Sequence, residues 1–352
     1  MKKAILMIAV VLGSMVAFAQ KPAKNELKQL QAFLAQPAEK DGTNAQVLKI
    51  SDLNSPATWE GVKFANGHVT EINWKDKKLA GRLDLSGFTA LTKVDVSRNK
   101  LTAVNLSNDP VLADVNLSRN MIRDLNLNGS SAIQTLSIYK NRLTDLTLDS
   151  APMLTSINCS NNYFVSLNFA DLNSIKTINC QGNHLESLNV SGCTNLKNLY
   201  CGYNKLTALN LAGVESLQNL NTDNNEISSM IISGLPSLGS LICSDNNMVT
   251  LGIRNCNALL DIVCSYNDLT TLSVEGCPNV QFVDCSYNDL VNLSLSNQTF
   301  LQRLLCNNNQ LNMLDVSFDS NLTYINCRFN VLTDIRTIGC DNLHMIACQW
   351  NY

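Results

Sequence analysis

The sequence predicts a repeat solenoid, mainly β, and three observations carry that prediction. An asparagine returns every 21 residues without a slip, at Asn99, Asn120, Asn141, Asn162, Asn183, Asn204, Asn225, Asn246, Asn267, Asn288, Asn309, Asn330 and Asn351. Eight residues before each of them stands an aliphatic residue, from Leu91 to Leu343, with further apolar positions five and three residues before. The half-repeat after the asparagine nearly copies the half before it, as Phe164, Leu167 and Phe169 or Leu206, Leu209 and Leu211 show. A unit of this length cannot bury an apolar face alone, so units must stack into a continuous core.

Within the unit, the two apolar positions nearest the asparagine are two residues apart and share one face of a short strand. Stacked at about 4.8 Å, these strands form a parallel sheet along one wall of the coil. The asparagine stands where the chain turns away from the strand, because its amide both donates to and accepts from backbone groups that would otherwise be unpaired inside the coil. The echo in the second half-repeat predicts a strand-like opposite wall.

The unit LxxLxLxxNxLxxLxLxxxxxx resembles the bacterial leucine-rich repeats of 21 residues, close in design to internalin-type repeats, over residues 83–352. The resemblance implies a right-handed coil with a parallel concave sheet, a strand-like convex wall, a small helical N-terminal cap and partner binding on the concave side. Thr337 stands where an aliphatic residue belongs, which predicts a looser convex wall near the C-terminus.

Residues 1–19 read as a signal peptide: Lys2 and Lys3 precede an apolar run from Ala4 to Ala17, and Ala17-Phe18-Ala19 is a cleavage site. An exported chain is therefore expected, secreted, periplasmic or associated with the cell surface, with no membrane insertion. Loss of Lys2 and Lys3 takes the formal charge from −3 to −5, which argues against nucleic acid or anionic lipid as partner. Residues 20–82 form the expected cap. Asn25 is placed to start a helix carrying Leu27, Leu30 and Leu34, and Pro37 follows its end; a polar loop, EKDGTN, comes next. Trp59, Val62, Phe64 and Trp74 are available to seal the open core, with Phe64 where related caps often carry a cysteine.

Thirteen cysteines in an exported chain suggest a disulfide framework, but their spacing contradicts it. Nine occupy the buried position three before the asparagine, where Val96, Leu117, Ile138 and Thr222 stand in other rungs. Cys193, Cys256, Cys277 and Cys340 share a second register ten residues after the asparagine. Exchange with aliphatic residues marks these thiols as small core hydrophobes rather than metal ligands. So many free thiols fit a reducing or anaerobic habitat. His68, His184 and His344 lie apart, no phosphate-cradling glycine loop is present, and no cofactor or catalytic constellation is expected; the chain is read as no enzyme.

Binding is expected from the outward positions six, four, two and one before each asparagine. In the first three rungs the position before the asparagine is basic, Arg98, Arg119 and Lys140, a candidate anion contact balanced by Asp95 and Asp114. From the sixth rung it turns aromatic, with Tyr203, Tyr266, Tyr287, Phe329 and Trp350, while Ile242, Val263 and Leu305 and then Phe282, Tyr324 and Met345 add apolar surface. Aromatic enrichment with few charges is the composition of a protein-binding core, and a protein partner is the expected ligand. The alternative is a glycan stacked on the rings and bonded by Asn116, Asn158, Asn179 and Asn326. The chain's last rung is expected to be an uncovered, sticky edge through which two copies could pair as a homodimer.

Overall fold

The computed structural model describes residues 21–295 and 298–352, so the signal-peptide reading of 1–19 lies outside the described residues. Successive rungs contribute one strand each to a fifteen-stranded sheet. Its strands pair parallel and in register at a step of one repeat, Thr177 with Asn198 and Asn198 with Asn219, and only the hairpin Val62–Ala65/His68–Asn73 is antiparallel. Each strand is short because only three residues, six to four before the asparagine, stay extended, as in Asn198–Tyr200 with Leu199 buried between two half-buried neighbours. The chain then bends sharply. The residue just before every asparagine is in the left-handed region, with φ from 52° at Asp245 to 64° at Gly182 and Trp350.

The asparagines secure that bend. The Nδ2 of Asn204 donates to the carbonyls of Cys201 (3.0 Å) and Gly202 (3.1 Å) in its own turn and of Cys180 (3.1 Å) one rung back, while its Oδ1 accepts from the Leu185 amide at 3.0 Å. Asn99, Asn162 and Asn288 repeat the scheme. Each carboxamide thus ties two rungs together, where leucine would leave buried backbone groups unpaired.

The convex wall is strand-like but broken. Four short sheets line it, Ala80–Asp84 with Lys100–Asn105 and Asp124–Asn126, Ser166–Asn168 with Ser187–Asn189, Ser229–Ser233 with Thr250–Arg254 and Thr271–Glu275, and Met313–Asp315 with Asp334–Arg336. Between the walls runs one apolar core from Leu30 to Cys340. At Thr337 the wall does loosen: Leu314 and Val316 are buried, whereas Ile335 and Thr337 one rung later are half-exposed.

The first helix runs Lys24–Leu34, so Asn25 lies inside it; Ala23 is the cap residue, its amide held by the Gly67 carbonyl at 2.8 Å, and no side chain caps the helix. This tether to the hairpin, rather than a capping side chain, sets where the helix begins. The helix seals the core with Leu30, Phe33 and Leu34, and Phe33 stacks on the fully buried Trp74 at 5.9 Å. The EKDGTN stretch is a loop only as far as Thr43, which caps a second helix, Asn44–Val47, through a reciprocal Thr43–Gln46 capping box. Asn44 joins that helix to the first convex strand, donating to Ala80 O at 2.9 Å and accepting from Ala80 N at 3.1 Å.

Candidate functional site

The position before each asparagine sits in the turn that follows the strand, not on the strand. The expectation that Tyr203, Tyr266, Tyr287, Phe329 and Trp350 share the sheet face with Ile242 and its neighbours is therefore corrected: they project along the rim where the sheet ends. Hydrophobic spacing reports burial and not φ; the trace of the bend is the recurrence of Asn161, Gly182, Asn224, Asp245 and Asn308 at this position. All five rings are exposed, from 43% for Tyr287 to 70% for Trp350.

Along this rim Tyr266 stacks on Tyr287 with centroids 4.3 Å apart, and Phe329 on Trp350 at 5.6 Å; Asn308 stands between the pairs. Tyr203 is set apart by Asn224 and Asp245, so the rim column runs from Tyr266 to Trp350. Beside it the sheet presents Ile242, Val263, Phe282, Leu305 and Tyr324 half-buried and Met345 exposed.

Arg98, Arg119 and Lys140 occupy the same turn position and are exposed. They are not balanced by the acids expected to face them. Asp95 accepts from the Ser97 hydroxyl at 2.6 Å and Asn116 at 3.2 Å, and Asp114 from Thr135 at 2.7 Å, whereas Arg119 donates to the Tyr139 hydroxyl and lies 5.3 Å from that ring's centre. A depression of about 440 Å³ over this half of the sheet is lined by Lys93, Asp95, Asp114, Asn116, Thr135 and Asn158, several of which bond one another.

The asparagines considered for sugar binding each hold their own turn, although no acceptor among the described residues takes the Nδ2 donors of Asn158 and Asn179. The Oδ1 atoms of Asn116, Asn158, Asn179 and Asn326 accept the backbone amide two residues on, at 3.2 to 3.4 Å, and the amides of Asn116 and Asn326 donate to Asp95 and Asn307. Three of the four also lie N-terminal to the aromatic rim.

All thirteen cysteines are free thiols; twelve are buried and Cys348 is exposed, a departure from the expectation of uniform burial that follows from its place in the outermost rung. Burial pushes the Cys159 and Cys243 thiols up to about 12. Cys256 and Cys277, neighbours in the second register, donate to the carbonyls of Arg254 at 3.5 Å and Glu275 at 3.4 Å, and the influence of each thiol on the other pulls Cys277 down to about 7 and raises its partner. Among the described residues no cluster of three or more His, Cys, Asp or Glu is placed to hold a metal, and no helix is long and apolar enough to cross a membrane.

Stacked parallel rungs with an asparagine at every bend define a leucine-rich repeat solenoid. Among solved structures, the chain is similar to YopM from Yersinia pestis (TM-score 0.63, 21% identity, covering 93% of each chain). It is also similar to the functional domain of internalin J from Listeria monocytogenes, which includes a cysteine ladder (TM-score 0.60, 22% identity, 75% of this chain), and to internalin InlF from the same organism (TM-score 0.57, 17% identity, 94% of this chain and 98% of that one). The chain spans 62% of the internalin J structure it matches. No family model and no curated protein matches the sequence.

Proposed function

We propose that this is an exported, non-catalytic binding protein that takes a protein partner on the C-terminal half of its concave wall and the aromatic rim beside it. One observation carries the reading. The turn position requires a left-handed backbone, for which Gly, Asn and Asp are the low-strain choices, as Gly182, Asn224 and Asp245 illustrate. A bulky ring there costs on the order of 1 kcal/mol, yet Tyr266, Tyr287, Phe329 and Trp350 stand there exposed. Stacked in pairs, Tyr266 on Tyr287 and Phe329 on Trp350, these rings form an exposed aromatic column of the kind a partner covers. The solenoid scaffold suits such a role, and residues 1–19 supply the export signal.

The test follows from the strain. The double substitution Tyr266→Asn and Tyr287→Asn relieves the backbone, so its melting temperature is expected to stay level or rise while binding is lost. A random peptide library and a glycan array, each offered to wild type and variant, read the binding. Peptides held by wild type and released by the variant support a protein partner; glycans behaving that way establish the sugar alternative, and ligands indifferent to the variant remove the rim from the site. Mass spectrometry of protein from the native host is expected to show a chain beginning at Gln20; an intact Met1 would sink the export reading.

A further inference from the structure

The residues that open the last concave strands form a column of their own: Asp261, Phe282, Arg303, Tyr324 and Met345. In-register pairing sets Phe282 beside Arg303 and Arg303 beside Tyr324. The guanidinium carbon of Arg303 lies 5.6 Å from the centre of the Phe282 ring and 5.6 Å from that of the Tyr324 ring, one ring on the strand to either side. The cation thus lies between two rings.

The N–H donors of Arg303 are free. Among the described residues Arg82, Arg254 and Arg336 make ion pairs, but the Arg303 side chain has only its two ring contacts. Asp284, on the preceding strand, accepts from the Ser286 amide at 3.0 Å and the Ser286 hydroxyl at 2.5 Å through Oδ1 and makes no ion pair with Arg303. Arg328, the other cation on this part of the wall, donates to Gln349. Arg303 is exposed, with half-buried Leu305 two residues further along its strand.

We propose that Arg303 is the anchor for a carboxylate on an acidic peptide segment of the protein partner, an inference that rests on the concave wall being the binding surface. A planar fork pinned between rings loses little freedom on pairing and matches a carboxylate through two parallel hydrogen bonds. Leu305, Met345 and the rings exclude water around the pair, which strengthens it.

The experiment pans a random peptide library against the full chain and against Arg303→Gln, which lies on the surface and should melt with wild type. Wild type is expected to select peptides bearing Asp or Glu beside apolar residues, and those peptides should bind Arg303→Gln at least about tenfold more weakly. Exchanging the peptide's acid for its amide should cost the same on wild type and nothing further on Arg303→Gln. Peptides that bind both proteins equally, yet are lost on the Tyr266→Asn/Tyr287→Asn variant, overturn the anchor and leave the binding wall standing. Peptides unaffected by either variant overturn the wall itself. Arg303-dependent binding of an acidic glycan without any acidic peptide overturns the assignment of the occupant.

Discussion

At the scale of single residues the solenoid is most revealing where one rung departs from the others. Thr222 stands in the register that holds Cys201 before it and Cys243 after it, fully buried, and its hydroxyl has no hydrogen-bond partner. An unpaired buried hydroxyl costs about 1–3 kcal/mol, and Val96 shows that valine fits the register. Thr222→Val is therefore expected to raise stability by about 1 kcal/mol in urea titrations; a lower midpoint would mean the hydroxyl is satisfied. Asp109 is the second departure, buried in the register that elsewhere holds Ala151, Cys193 or Val214. Burial raises its carboxyl from 3.8 to about 7, helped by the charges of Asp84 and Glu26 and opposed by the Phe88 amide, which donates to Oδ1 at 2.8 Å. Between those two values the native state holds a proton the unfolded chain has released, so stability falls as pH rises from about 4 to about 7 and levels off above. Thermal melts across that range should show the slope, and Asp109→Asn, which keeps the acceptor for Phe88, should abolish it. An unchanged slope in the variant would assign it to other groups. The repeat places Thr222 inside, in the register of the cysteines, but only the packing shows that its hydroxyl has found no partner.

At the scale of the element, the strand and its turn divide the work. Three residues make the sheet, and the left-handed residue after them makes the rim. The asparagine spacing and the apolar beat made the strands legible, since burial has a period. The rim is harder to separate from the sheet because its left-handed turn shows in the sequence only where Gly, Asn or Asp fills it, as at Asn161, Gly182, Asn224, Asp245 and Asn308, and the aromatic rungs hide it. Arg303 was missed for another reason. It is the one charged residue between two aromatic ones at that position, and only the in-register column Phe282, Arg303, Tyr324 sets it beside both rings. The thiol columns give this scale its prediction. Cys277 is drawn down to about 7 yet is only 1% exposed, whereas Cys348 is open to solvent. Reactivity needs thiolate and access together, so iodoacetamide on the native protein is expected to label Cys348 first and the other twelve only as fast as the chain opens. Rapid native labelling of Cys277 would show that its rung breathes independently.

At the scale of the whole molecule, contacts run only between neighbouring rungs, which makes the protein a nearly one-dimensional array. Its three tryptophans report on the two ends: Trp59 and Trp74 are buried in the cap and Trp350 is 70% exposed on the last rung. Asn204 lies between them, and Asn204→Leu removes the donor to the carbonyls of Cys180 and Cys201 and the acceptor of the Leu185 amide. Stranding those groups is expected to cost about 2–3 kcal/mol, while Lys205→Ala, exposed and one residue away, should cost almost nothing. In an array the lesion should stay local. Hydrogen exchange is expected to lose protection in the rungs on either side of residue 204, and tryptophan fluorescence, dominated by the cap, should report a denaturation midpoint displaced less than that of the backbone circular dichroism. A uniform loss of protection from cap to last rung would show that the coil unfolds as one unit despite its neighbour-only contacts. Identical melts for Asn204→Leu and Lys205→Ala would show that the asparagine ladder does not hold the rungs together.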